Sequence, residues 1–408
     1  MDDVNEDRID IASTMAALGQ TQASTPGQGA AAAVPALPQI RFARTALLGS
    51  GGMGVVEGVW DADLMRELAI KRVRPEMRED ARVIAMFLWE ARVTAYLDHP
   101  NIVPVHDLGR TAAGDPYFAM KRVSGVSLER VLIELRANES AAKERWSVAR
   151  RLRVLHQVCM AIAFAHRRGV LHRDLKPANI MLGETGEVMV MDWGLAVPVP
   201  GAAGDRLRAA LPNGVDTASA GTPLYMSPEQ ARGEPLDERS DVYALGIMLY
   251  ELLSLERPYP GATGRDIAER VTRGAIRPIR EAWPAVPGPL AAIIDCSLQL
   301  ERSTRYVSAS ALAEDLERYI DGGSPAAEHA PRLTRFARFY VSKDRRLAQL
   351  RVVDIDMIAL AAMAIGIAVG AVLAGYIGAW WWIAAVIGVF AAVLPVRAWL
   401  RAMRKGER

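Results

Sequence analysis

The stretch HRDLKPAN, residues 172–179, sets a carboxylate, an ammonium and a carboxamide at fixed spacing within one short loop. Asp174 can accept a proton from an attacking hydroxyl, Lys176 can steady an anionic group in transfer, and Asn179 can offer a hard oxygen to magnesium. Together these roles describe phosphoryl-transfer chemistry. The neighbouring motifs stand in the order that chemistry needs. Upstream, GSGGMGVV carries Gly49, Gly51 and Gly54 at G-x-G-x-x-G spacing ahead of Val56, as a hairpin between two strands requires. Alone, that pattern is weak, because an ordinary flexible turn has the same composition. ELAIKRV then sets Lys71 on an alternating apolar run, and FLWEARVTAYL sets Glu90 at helical spacing. Downstream, MDWGLA puts Asp192 directly after the apolar strand EVMVMD.

Taken together, these motifs resemble those of eukaryotic-type (Hanks-type) protein serine/threonine kinases, of the bacterial membrane-anchored kind, from about residue 40 to about residue 320. The resemblance implies an α+β bilobal protein-kinase fold, with a β-rich N-lobe over residues 39–122 and an α-helical C-lobe over residues 123–320. It implies ATP as phosphoryl donor and Mg²⁺ as its companion, with Mn²⁺ as a substitute. Catalytic roles fall to Asp174, Lys176, Lys71 and Glu90, and metal binding to Asn179 and Asp192. The nucleotide is expected against Leu48, Gly49, Ser50, Gly51, Gly52, Met53, Gly54, Val56, Ala69, Lys71, Met120 and Val123.

Each assignment has a physical reason. Glycines without Cβ let backbone amides approach phosphate oxygens closely. A buried ammonium beside phosphate needs a carboxylate to fix it, so Lys71 should pair with Glu90, and loss of that pair would slow transfer. Residues 120–123 form the expected hinge, with Met120 as gatekeeper and with Ser127 where some family members have an acidic ribose contact. Trp193 stands where most members have Phe, and Ser227 where the family usually has Ala. Indole is larger than phenyl and carries an N–H that needs a partner when buried. The regulatory residues implied are Arg173, which would bind a phosphorylated activation loop, the phosphosites Thr217 and Ser219, and Thr222, which should hydrogen-bond the catalytic Asp and Lys. Residues 197–220, mixing Pro, Gly, Ala and polar side chains, read as a mobile loop. Glu229 should pair with Arg305, and Asp241 should accept backbone hydrogen bonds from the catalytic loop. His99, His166 and His172 read as structural. Cys159 and Cys296, the only cysteines, lie far apart within apolar patterns, which excludes a zinc site or disulfide framework and fits a reducing cytosol. Lys176 after the base is the serine/threonine pattern, and Ala178 offers no carboxylate to a basic peptide.

The ends of the chain differ from its middle. Residues 1–38 read as a disordered tail and not as a signal peptide. Residues 357–396 contain no Asp, Glu, Lys or Arg, which is enough for a transmembrane helical hairpin at roughly 20 residues per span. Gly375 and Gly378 would sit at its turn, with Trp380, Trp381 and Trp382 at an interface. A single span is the rival topology. Residues 321–356 form a basic juxtamembrane segment, read either as lying on an anionic surface or as a stop-transfer flank, and residues 397–408 a basic cytoplasmic tail. Positive charge on both flanks predicts a multi-pass protein of the inner membrane with its catalytic domain in the cytoplasm. The expected partners are proteins with Ser/Thr acceptors, the membrane, and a second copy of the chain for trans-autophosphorylation. A net charge of +2 gives no sign of nucleic acid. The alternative reading, encouraged by Trp193, is a pseudokinase scaffold that binds nucleotide without turnover.

Overall fold

Residues 42–73 fold as three antiparallel strands, β1 (Phe42–Ser50), β2 (Gly54–Asp61) and β3 (Arg66–Val73), and the clearest apolar alternation is in β3 around Lys71. The computed structural model describes residues 41–329, apart from residues 53, 112, 200, 209–210, 212–220 and 262. The expected tail at 1–38, hairpin at 357–396 and basic tail at 397–408 lie outside the described residues. Among the described residues no helix is long and apolar enough to cross a membrane.

With β4 (Val105–Arg110) and β5 (Pro116–Lys121), the first strands make a five-stranded sheet in the order β1-β2-β3-β5-β4. Helix α1 (Ala81–Tyr96) connects β3 to β4. It begins where the Asp80 carboxylate accepts the N–H groups of Arg82 and Val83. Two of its faces are buried. Phe87 and Ala91 pack with Ala69, Val73, Phe118 and Met120 of the sheet, whereas Trp89, Val93 and Leu97 belong to the large core of the helical half. The helix therefore joins the two lobes.

The helical lobe follows β6 (Gly125–Ser127). It contains α2 (Leu128–Arg136), α3 (Ser140–Arg145) and α4 (Val148–Arg167), and then the short strands β7 (Val170–Leu171), β8 (Ile180–Gly183), β9 (Val188–Val190) and β10 (Val197–Pro198). Helices α5 (Ala202–Arg208), α6 (Pro228–Arg232), α7 (Glu238–Ser254), α8 (Gly264–Arg273), α9 (Ile279–Ala282), α10 (Gly288–Ser297) and α11 (Ala309–Ile320) complete it. The lobe is organised around α7, whose residues from Ser240 to Leu253 are all buried, as a helix surrounded by protein must be. Helices α4, α10 and α11 pack on it.

Two features depart from the sequence reading. Within the stretch expected to be a mobile loop, of which residues 212–220 lie outside the described residues, residues 197–198 form the strand β10 on β7 and residues 202–208 the helix α5. Its anchor is a close approach of two glycines: a Cβ on Gly169 would lie 2.5 Å from the Gly204 nitrogen. Composition alone does not reveal such a contact. The segment after residue 320, assigned to the juxtamembrane region, is tied back to the domain as far as Ala327. The Asp315 carboxylate, fully buried, accepts from Tyr306, Arg318 and the N–H groups of Ala326 and Ala327 at 2.7–2.9 Å.

Ser227, the departure from the family's alanine, has a local cause. Its hydroxyl caps α6 by accepting from the Gln230 N–H, while the Gln230 side chain accepts from the Ser227 N–H, a reciprocal capping box. The next residue but one, Glu229, meets Arg305 through two hydrogen bonds of 2.7 and 2.8 Å, both side chains essentially buried. Burial opposes charge on Glu229, but the Arg305 guanidinium outweighs it and holds the carboxyl below its ordinary range. This pair stabilises the fold above the unfolded carboxylate pKa of about 4, and its contribution is lost as pH falls through the depressed value. Glu229→Gln leaves Arg305 buried without its counter-charge. Thermal unfolding at pH 7 should show a loss of about 3–5 kcal/mol, with a smaller difference from wild type below pH ~4.

Candidate active site

Lys71 lies on β3 opposite Val56 of β2 and Phe118 of β5, so its side chain leaves the sheet toward α1. There its ammonium donates to both oxygens of Glu90, at 2.6 and 2.7 Å. Burial opposes charge on Lys71, but the carboxylates of Glu90 and Asp192 outweigh it and hold the ammonium above the usual lysine range. Burial pushes the Glu90 carboxyl up, against the pull of Lys71. The pair is formed, and α1 is seated.

The catalytic loop starts from β7 and turns through Arg173, whose φ of 70° is rare for a side chain of that size. That turn is held by the Asp241 carboxylate, 2% exposed, which accepts the His172 N–H at 2.9 Å, the Arg173 N–H at 3.0 Å and a 2.8 Å bond from His166 Nε2. Burial would raise the Asp241 pKa, yet the bond from His166 and the nearby imidazoles keep the carboxyl below its ordinary value. His166 and His172 thus serve the loop's shape. His172 Nδ1 takes the Asp174 N–H, and its Nε2 lies 3.2 Å from the Met191 carbonyl.

Asp174 is surrounded by donors. Lys176 Nζ reaches Oδ2 at 2.6 Å, and Thr222 offers its N–H and its hydroxyl to Oδ1 at 3.0 and 2.8 Å. The same lysine also donates to the Thr222 oxygen at 2.9 Å. Asn179 commits its amide nitrogen to the Asp174 carbonyl at 2.9 Å, which leaves the carboxamide oxygen for a cation. Asp192, at φ 59°, is exposed and hydrogen-bonds no described residue through its carboxylate. A neutral oxygen and a carboxylate form the hard donor set that Mg²⁺ prefers, so these two residues fit the metal. Gly194 lies between carboxylates: a Cβ there would meet Asp192 Oδ1 at 3.3 Å and Glu90 Oε2 at 3.4 Å.

The glycines of the loop between β1 and β2 are not equivalent. A Cβ on Gly54 would lie 2.6 Å from the Arg72 carbonyl of β3, whereas Gly49 and Gly52 face open space. Gly54 is required by the sheet itself, and the others leave room above the cleft. Leu48 and Ser50 lie at the end of β1, Val56 on β2, Ala69 on β3 and Met120 on β5, with Val123 just beyond it. Met53, Thr217 and Ser219 lie outside the described residues. Ser127, discussed for ribose, is the N-cap of α2 and accepts the Arg130 N–H.

Arg74 and Gln230 escaped the sequence reading of the site. Arg74, just past β3, donates to the Gly51 carbonyl at 2.8 Å and to the Ser50 hydroxyl at 2.7 Å, so it grips the tip of the glycine loop. Gln230 donates to the Arg173 carbonyl at 2.9 Å. Trp193 is fully buried with its ring 4.5 Å from that of His172, and its indole N–H has no hydrogen-bond partner among the described residues. The basic side chain following Lys71 by three was the only available signal for Arg74, and it was not distinctive.

The protein kinase domain family matches residues 42–316. Serine/threonine-protein kinase PknD of Protochlamydia amoebophila is 34% identical over 291 residues, covering 68% of this chain and 30% of that protein. PknD of Chlamydia pneumoniae is 35% identical, with 69% and 31% covered, and PknB of Mycobacterium tuberculosis (strain ATCC 25177 / H37Ra) is 35% identical, with 70% and 44% covered. The chain spans less than half the length of these relatives.

The geometry predicts unequal effects along the glycine loop. Gly54→Ala should destabilise the fold by forcing β2 off β3, while Gly52→Ala should leave the unfolding free energy within about 0.5 kcal/mol of wild type, measured by thermal denaturation.

Proposed function

The chain belongs to the protein kinase family, and from that membership we propose that it moves the γ-phosphoryl group of ATP onto serine and threonine hydroxyls of proteins. One observation carries this reading. Lys71 is closed on Glu90 while Asp174 is held by Lys176 and Thr222, so the two halves of the site are assembled together.

The chemistry then divides among the residues as follows. Asp174 takes the proton of the acceptor hydroxyl as its oxygen bonds to phosphorus, and the bond to the β-phosphate oxygen breaks to leave ADP. Lys176, already against Asp174, offsets the negative charge spread over the equatorial oxygens. Lys71, kept charged by Glu90, holds the α- and β-phosphates, and the Gly49 to Gly54 loop gripped by Arg74 covers them. Asn179 and Asp192 would hold Mg²⁺, which supplies charge neutralisation at the β- and γ-oxygens when bound. Trans-autophosphorylation at Thr217 or Ser219, answered by Arg173, would regulate the site.

The uncharged run at 357–396 and its basic flanks support an inner-membrane anchor that leaves the domain in the cytoplasm. A nucleotide-binding scaffold without turnover is the second reading, favoured only by the unpaired Trp193 N–H.

The full chain with Mg²⁺ and ATP is expected to phosphorylate itself or a protein acceptor, and Asp174→Asn to lower the rate about 10²–10⁴-fold. Nucleotide binding with no phosphate incorporation by wild type would favour the scaffold. For the membrane reading, impermeant thiol label added to intact cells should modify Gly378→Cys and spare Gly406→Cys; the reverse result would exclude the hairpin.

A further inference from the structure

Helix α1 presents successive residues to opposite sides of the cleft. Glu90 turns to Lys71 in the N-lobe, and Trp89, about 100° away around the helix axis, turns into the core of the C-lobe. Trp89 is 1% exposed, and its indole N–H donates to the Ala196 carbonyl at 2.8 Å, a contact spanning 107 residues of sequence. Ala196 is itself fully buried. Its N–H closes a tight turn onto the Trp193 carbonyl at 3.0 Å, and β10 begins at the next residue. The Ala196 carbonyl therefore marks the end of the short turn that carries Asp192, Trp193 and Gly194.

We propose that Trp89 is a positioning residue that couples the seating of α1 to the seating of the Asp192 segment, through its hydrogen bond to the Ala196 carbonyl. This rests on the kinase reading of the site. The bond exists only when helix and segment are both in place, because displacing either leaves a buried carbonyl or a buried indole N–H without its partner. It thus differs in energy between the assembled site and any arrangement in which α1 or the segment has moved, which is the requirement for shifting a two-state equilibrium. Glu90 reports the same helix position to Lys71, so one helix sets the phosphate-binding lysine and the metal-binding carboxylate together. Bulk alone does not perform this role. The donor does.

Two substitutions separate donor from bulk. Trp89→Phe keeps an aromatic ring in the core and removes the N–H. Trp89→His loses the benzo ring but overlays its imidazole on the pyrrole part of the indole, with Nε2 where Nε1 was. In the full chain with Mg²⁺ and ATP, kcat should fall roughly five-fold or more in Trp89→Phe, from the loss of one buried hydrogen bond, and should be partly restored in Trp89→His. In a Glu90→Gln background, Trp89→Phe should change kcat by less than about two-fold, because both residues then act through the same displaced helix. Amide hydrogen exchange should rise in Trp89→Phe within α1 and residues 193–198 together, a readout that needs no turnover. Inactive wild-type protein would refute the proposed activity while leaving the exchange measurement to judge Trp89. Unchanged exchange in both segments would overturn the coupling, as would equal kcat losses for Phe and His or a full Trp89→Phe effect in the Glu90→Gln background.

Discussion

The site depends on one buried carboxylate. Asp241, rooted in the most deeply buried helix, accepts two consecutive N–H groups of the loop at His172 and Arg173, and a third bond from His166. Those contacts sustain an arginine backbone in the left-handed region, a conformation costing about 1–3 kcal/mol that persists only where its surroundings over-determine it. Turned that way, the chain brings Asp174, Lys176 and Asn179 onto one side. Replace the anchor, and the spacing in HRDLKPAN no longer specifies a geometry.

The anchor fixes only half of the cleft. The other half is carried by α1, which is fixed in its own lobe by Phe87 and Ala91 and in the neighbouring lobe by Trp89, Val93 and Leu97. A helix buried on two faces by two cores transmits displacement between them, because packed interiors adapt by discrete rearrangement and resist gradual deformation. The ion pair of Lys71 with Glu90 is therefore a consequence of packing as much as of charge.

What the sequence made legible follows from chain distance and from chemistry. The residues of the catalytic loop, the glycine pattern and the alternation around Lys71 are local, and local spacing can be read directly. The contacts of Thr222 with Asp174 and Lys176, and of Glu229 with Arg305, are distant, yet resemblance to a known family supplied them. The helix at 202–208 depends on two glycines in different segments meeting backbone to backbone. Arg74 and Trp89 each act through a carbonyl, and a backbone carbonyl has no signature in the sequence at all. Ser227 looked like a departure until its partner Gln230, three residues on, showed it to be an ordinary helix cap.

Thr222 adds a further property to the base. Both carboxylate oxygens of Asp174 already receive protein donors, one from Lys176 and the other from the threonine. On the proposed chemistry, the base is held through both of its oxygens before any acceptor arrives, so an incoming hydroxyl meets a carboxylate whose orientation is already set. Thr222 stands 48 residues from Asp174 along the chain, and that orientation therefore lasts only while the segment carrying the threonine is seated against the catalytic loop.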